Sequence, residues 1–517
     1  MRRQEACSIR DVALNVAAIS RNVADRRAFV RARLRFVAAR TRRYDPAPCP
    51  HERTSRVLPT DVSSPSSNAD LQQRSRRHVW HPCTQSIRLE AVPPLPIARG
   101  EGVWLFDQEG RRYMDATSSW WVNLFGHAHP AINAALKRQL DTLPHVMLAG
   151  CTHEPAVELA QRLSGLTGGV LGHCFYASDG ASAVEIALKM SFHFWRNAGR
   201  GDKRRFVAIR HGYHGETLGA LHVTDVPVFR DAYAPLLADS LLVASPDARN
   251  AAAGESEADV AHRAAAELEA VLAEQHGSIA AVIVEPLVQC AAGMAMHDPE
   301  YLRCVRALCD RYGVHLIADE IAVGCGRTGT FFACEQAGIW PDFVCLSKGI
   351  SGGYLPLALV MTRDAIHDAF IDDDATRSFL HSHSYTGNAL ACRAALATLD
   401  LFEAENALQR NQGRAARLLE RLRKGLEGRE VEHLRQRGMI TAFDVRDPGE
   451  RFAERFHLAA RAQGLLMRPI GNTVYLMPPY AIGDDEIDLL VDGTLATLDA
   501  VAATNPKMEG ARDVALA

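Results

Sequence analysis

Past the middle of the chain, Leu316-Ile317-Ala318-Asp319-Glu320 is followed by Phe343-Val344-Cys345-Leu346-Ser347-Lys348-Gly349. Two short apolar runs each end in one charged residue, an acid in the first and an amine in the second. Runs of that length between helical stretches predict strands buried in a parallel sheet. Residues just past such strand ends line the ligand crevice of open α/β sheets. The lysine carries weight because the chain hardly uses lysine: besides Lys348 there are only Lys137, Lys189, Lys203, Lys424 and Lys507. Arginine keeps its proton at working pH, whereas a desolvated lysine can lose it and attack a carbonyl. An acid and an amine at neighbouring strand ends suit pyridoxal phosphate, with the lysine on its aldehyde and the carboxylate on its pyridine nitrogen.

Outward from that stretch, apolar runs alternate with amphipathic helical segments. The strand-like runs are Cys174-Phe175-Tyr176, Phe206 to Ile209, Ala281 to Val284, Val314 to Ala318, Phe343 to Leu346 and Leu357 to Met361. This alternation predicts an α/β chain with a mostly parallel, doubly wound sheet flanked by helices over residues 131–395. Residues 78–130, with a hairpin pattern from Gly102 to Asp115, and residues 396–505 are expected to form a smaller α+β domain built from both chain ends. Residues 1–77 read as an Arg-rich extension, disordered or loosely helical, and residues 506–517 as a tail. For the extension, a transit peptide and a basic arm are the competing readings, but Asp11, Asp25 and Asp45 dilute the transit signature.

The composition bounds the function. With 517 residues, 47% hydrophobic, 23% charged and a net charge of −3, the chain exerts no overall pull on nucleic acid. No apolar stretch is long enough to span a bilayer. The twelve cysteines are scattered and form no C-x-x-C pair, which predicts free thiols in a reducing, cytoplasmic setting.

Other segments can serve a cofactor site. Ser178 to Glu185 follows a strand and opens a helix, and Gly180 permits a tight turn whose free amides suit a phosphate. Tyr213 can lie against a pyridine ring. His214 beside it reads as a hydrogen-bonded structural histidine in preference to a base. Glu285 is a possible polar anchor. The loop His381-Ser382-His383-Ser384 offers hydroxyls for a phosphate; without a nearby acid its histidine pair is weak evidence for zinc, and no metal is expected. Trp120-Trp121 can wall a pocket or fill a core. Arg468 can hold a carboxylate bidentately or serve a structural ion pair.

Taken together, Asp319-Glu320-Ile321-Ala322-Val323-Gly324-Cys325-Gly326-Arg327-Thr328-Gly329 and Ser347-Lys348-Gly349 resemble the signature of class III PLP-dependent aminotransferases, and the likeness runs from about His78 to about Ala500. His78-Val79-Trp80-His81-Pro82-Cys83-Thr84-Gln85, Ser118-Ser119-Trp120-Trp121, Gly212 to Gly215 and the Arg468 to Tyr480 segment are similar to the biotin-pathway branch of that class. The resemblance implies a fold-type I homodimer that aminates 8-amino-7-oxononanoate at the expense of S-adenosylmethionine. It implies that Lys348 binds the cofactor and carries the proton, Asp319 pairs with the pyridine nitrogen and Tyr213 stacks near the ring. The Gly180 and Ala181 amides would hold the phosphate, with His383 and Ser384 contributed by the partner subunit. Trp120, Tyr213, Lys348, Ser382, Arg468 and the Cys83 position would meet substrate, Arg468 taking its carboxylate.

The family pattern is broken at three of these places. Ala181 stands where Ser or Thr is usual, so a hydroxyl is missing unless Ser182 supplies it. Cys83 replaces a substrate-recognising tyrosine, and His383 replaces a proline. The alternatives are a class III aminotransferase acting on ω-amino acids or diamines, and a non-catalytic PLP-binding scaffold with a basic arm.

Overall fold

The computed structural model describes residues 67–504; the extension up to residue 66 and the tail from residue 505 lie outside the described residues. Of the two expectations for the extension, disordered or loosely helical, residues 68–77 take the helical one, as part of the helix Asn68–His78. The Ser67 hydroxyl caps it by accepting from the Asp70 amide at 3.1 Å, and buried Asn68 donates to Asp107 Oδ2 at 2.9 Å. Arg76, Arg77 and His78 then fall in its last turn, where positive charge suits the helix dipole.

In chain order the strands are β1 (Ile97–Glu101), β2 (Trp104–Asp107), β3 (Arg112–Asp115), β4 (His173–Ala177), β5 (Arg205–Ile209), β6 (Leu241–Val243), β7 (Ile279–Val284), β8 (Val288–Gln289), β9 (Ala295–Met296), β10 (His315–Asp319), β11 (Phe343–Leu346) and β12 (Ala358–Thr362). They are followed by β13 (Val431–Arg437), β14 (Ile440–Val445), β15 (Leu465–Leu466) and β16 (Thr473–Leu476).

Seven of them form the main sheet in the order β4-β12-β11-β10-β7-β5-β6. Every residue of β7, β10 and β11 is buried, as the unbroken apolar runs require of strands covered on both faces. Each buried Val, Leu or Ile contributes about 1.5–3 kcal/mol. Helices such as Gly180–Asn197, Glu257–Gln275, Glu300–Tyr312 and Ala389–Ala404 connect and flank these strands. β12 runs antiparallel to both β11 and β4, while the other pairs are parallel. An all-apolar run reads alike in both directions, so its reversal left no mark in the sequence.

A second sheet has the order β1-β2-β3-β15 and joins the two ends of the described chain. β3 and β15 are parallel, with Met114 opposite Leu465 and Asp115 opposite Leu466. A third sheet, β13-β14-β16, is antiparallel. Among the described residues no helix is long and apolar enough to cross a membrane. All ten cysteines there are free, six of them buried.

Candidate active site

β10 and β11 are parallel neighbours with Asp319 opposite Cys345, so the acid ends one strand and Lys348 follows the end of the next. Buried Asp319 accepts from the Ile321 amide through Oδ1 at 3.1 Å and from His214 Nδ1 through Oδ2 at 2.7 Å. A carboxylate has no proton to give, so the His214 hydrogen is on Nδ1. The other ring nitrogen of His214 is buried without a partner. Lys348 opens a tight turn with a φ of 43°, and the Ser347 hydroxyl donates to Leu357 O at 2.9 Å beside it. Burial pushes the Lys348 amine below its ordinary range, against the pull of Asp319. Its Nζ is 5.0 Å from the centre of a Trp121 ring.

Both groups line a cleft of about 580 Å³. At one end lies the start of the helix Gly180–Asn197, where Asp179 Oδ1 accepts from the Ser182 amide at 2.9 Å. The Gly180 and Ala181 amides precede that bond in the first turn, which is the part of a helix that attracts anions. A Cβ on Gly180 would lie 2.9 Å from Ile321 Cγ2, so glycine keeps this wall thin. The Ser182 hydroxyl donates to Asp179 Oδ2 at 2.9 Å and is occupied in the cap. It therefore does not replace the hydroxyl missing at Ala181.

Tyr213 enters from the loop after β5. Its amide donates to Glu285 Oε1 at 2.9 Å and its hydroxyl to Glu216 Oε1 at 3.0 Å. Burial and Glu216 push the phenol up. Glu285, whose Oε2 accepts from the Cys290 amide, is raised to about 7, chiefly by burial. The set fits pyridoxal phosphate: a buried carboxylate for the ring nitrogen, a desolvated amine for the aldehyde, and a helix start for the phosphate.

The family model for aminotransferase class III matches residues 87–498. The chain belongs to the class III aminotransferases. It is 44% identical over 430 residues to the adenosylmethionine-8-amino-7-oxononanoate aminotransferase of Helicobacter pylori, covering 82% of this chain and 96% of that protein. It is 41% identical to the protein of the same name from Geobacter sulfurreducens, covering 83% and 98%. Among solved structures, the Methanocaldococcus jannaschii protein of that name matches with a TM-score of 0.77 at 34% identity, covering 83% of this chain and 98% of the other. An (S)-enantioselective omega-transaminase from Thermomicrobium roseum matches at 0.79 and 32%, covering 84% and 98%. The cofactor of this aminotransferase is pyridoxal 5′-phosphate; two matched amine transaminase structures are described as PLP-bound and in complex with PMP.

The segment Ser118–Trp121 adds Trp121 to the lining of the cleft. Ser118, Ser119, Trp120 and Trp121 have φ values of 51°, 49°, 70° and 73°, a whole left-handed turn without glycine. Left-handed helical backbone costs about 1–2 kcal/mol per residue, so other bonds must hold it. The turn leaves Trp120 half exposed, with the Arg468 guanidinium 5.5 Å from its ring centre. Among the described residues Arg468 has no carboxylate partner, which removes the structural ion pair as an explanation. The Cys83 thiol is pushed up by burial and Glu216 and drawn down by Arg468.

The loop His381 to Ser384 is not brought to the cleft in the same way. His383 Nδ1 lies 3.5 Å from the Ser178 hydroxyl of its own chain, while Ser382 and Ser384 are exposed and do not line the cleft. Sequence reasoning left Trp121 open between a pocket wall and a core filler, and gave Glu216 and the Asp319 bond of His214 no role in the site; Trp121 lines the cleft. Glu216 carried a signal, three residues after Tyr213, but a lone surface acid is common.

Proposed function

We propose that this aminotransferase moves the amino group of S-adenosylmethionine onto the ketone of 8-amino-7-oxononanoate, giving 7,8-diaminononanoate for biotin biosynthesis. The observation that carries this reading is the 41–44% identity, over more than four fifths of the chain, to relatives named for that reaction. A guanidinium without an acid partner, set over Trp120, adds to it, because the acceptor brings a carboxylate.

Pyridoxal phosphate supplies the aldehyde that takes up the donor's amino group and the ring that delocalises the electrons left on its α-carbon. Lys348, desolvated and low in basicity, would hold the aldehyde and, once displaced from it by the donor's amine, would carry the proton between the substrate α-carbon and cofactor C4′. Asp319 keeps the pyridine nitrogen protonated, and His214 orients that carboxylate. The Gly180 and Ala181 amides hold the phosphate, and Tyr213 packs near the ring. Arg468 and Trp120 receive the acceptor's carboxylate end, beside Cys83.

The chain works as a cytoplasmic homodimer in this reading, with His383 and Ser384 completing the partner's phosphate site and Ser382 reaching its substrate. Residues 131–395 form the cofactor domain, and 78–130 with 396–505 form the smaller one; the sheet joining β3 to β15 supports that division.

The amine-transaminase reading keeps one specific support: omega-transaminases match with TM-scores of 0.79–0.80, against 0.77 for the biotin-pathway structure. Half-reactions separate the two. Purified protein should carry a visible cofactor band that S-adenosylmethionine alone bleaches and 8-amino-7-oxononanoate restores. Bleaching by lysine but not S-adenosylmethionine overturns the donor assignment. Bleaching only by ω-amino acids or diamines favours the second reading.

A further inference from the structure

We propose that Asp115 is a positioning residue, whose buried carboxylate holds the left-handed turn that sets Trp120 against Arg468 and Trp121 over Lys348. Asp115 ends β3 with no exposed surface, and each of its oxygens is used. Oδ1 accepts from the Ser119 amide at 2.8 Å, and Oδ2 from the Ser119 hydroxyl at 2.7 Å. Oδ2 also accepts from His127 Nε2 at 2.9 Å. His127 is pinned in turn, since it exchanges backbone bonds with Gly102 and leaves Gly100 no room for a Cβ.

Three further bonds carry the turn onward. Ser118 Oγ donates to Met477 O at 2.7 Å, and the Trp121 amide bonds Thr117 O at 2.9 Å. Trp121 Nε1 donates to the Tyr475 hydroxyl at 3.2 Å. Asp115 also faces Leu466 across the parallel pair, two residues before Arg468. The carboxylate thus holds the Trp120 half of the Trp120–Arg468 contact, while the backbone register of β3 and β15 places the Arg468 half. Four consecutive L-residues do not hold left-handed backbone unaided, and the Ser119 bonds to Asp115 supply the local restraint.

This inference rests on the proposed substrate for its kinetic arm only. Asp115→Ala should raise KM for 8-amino-7-oxononanoate and lower kcat/KM by about 10²-fold, the scale of a misplaced contact group. In the full chain, hydrogen exchange should quicken at the amides of 121–123 whether or not cofactor is bound. Ser119→Gly added to Asp115→Ala should restore slow exchange and most of kcat/KM, since glycine adopts the left-handed region freely. Asp107→Ala is the structural control: it removes another buried carboxylate, bonded to Asn68 and Arg111, and should lower Tm without moving KM or exchange at 121–123. Unchanged exchange at 121–123 in Asp115→Ala overturns the proposal, as does a loss equal to that of Asp107→Ala without rescue by Ser119→Gly. If Asp115→Ala does not fold, Asp115→Asn, which keeps an acceptor for the Ser119 amide, must show the same effects in weaker form or the proposal fails. Quickened exchange and its rescue, in a protein that does not use the oxononanoate, would retain Asp115's role and reject the substrate.

Discussion

Two pairs of residues stand at or just past the ends of parallel strands in this molecule, and they are built differently. In the main sheet Asp319 ends β10 and Lys348 lies two residues beyond β11. In the small sheet Asp115 ends β3 and Arg468 lies two residues beyond β15, with the left-handed turn carrying Trp120 between them. The first pair comes from neighbouring segments of chain, on strands buried on both faces. The second joins residues about 350 apart through a two-residue strand, and a strained turn completes it. In the proposed function the first pair carries the transamination chemistry. In the proposed function Arg468 of the second pair meets substrate, where aminotransferases of one fold must differ.

The contrast can be broken by substitution. Lys348→Ala should have the largest effect, removing the visible cofactor band and cutting turnover by at least about 10⁴-fold, the upper range for a positioned acid–base group. Asp319→Asn should keep the cofactor bound yet slow kcat by about 10²–10³-fold, as expected when a fixed electrostatic partner is lost. Stopped-flow half-reactions check both, and both should slow with every donor. Arg468→Ala should instead raise KM for the oxononanoate by about 10–10²-fold, matching charged hydrogen bonds of about 1.5–3 kcal/mol. Its half-reaction with an amine donor that carries no carboxylate should stay near wild type. Equal damage to both half-reactions by Arg468→Ala would erase the proposed distinction between the pairs.

The smallest effect concerns pH. Glu285 is raised from 4.5 to about 7 by burial, so between those values the folded chain binds more protons than the unfolded one. Its contribution to stability therefore falls as pH rises from 4.5 to about 7. Glu320, also raised to about 7 by burial, acts with the same sign. Glu285→Gln should flatten the decline of Tm across that window without abolishing it. A decline unchanged from wild type would show that Glu285 is ionised in the fold throughout.

Much of the first pair was legible because its elements are local and regular. Buried strands announce themselves as unbroken apolar runs, and a charge closing each run is visible without any partner. The helix start at Asp179-Gly180 was legible for the same reason. Beyond that range the signals fade. The reversal of β12 leaves no trace in an apolar run, and β15 is too short to show a period. Asn68–His78 is polar along most of its length and needed its cap and its bond to Asp107 to be recognised. Ser182 was a reasonable source of a phosphate hydroxyl until the cap occupied it.

By itself the sequence determined the α/β class, the main strands and the acid and amine that end two of them, because burial and strand period act over a few residues. Tertiary structure alone decided that His214 holds Asp319, that Arg468 meets Trp120 and not an acid, and that four non-glycine residues turn left-handed around Asp115. Those outcomes depend on contacts between distant segments, each worth little until the whole fold fixes its partner.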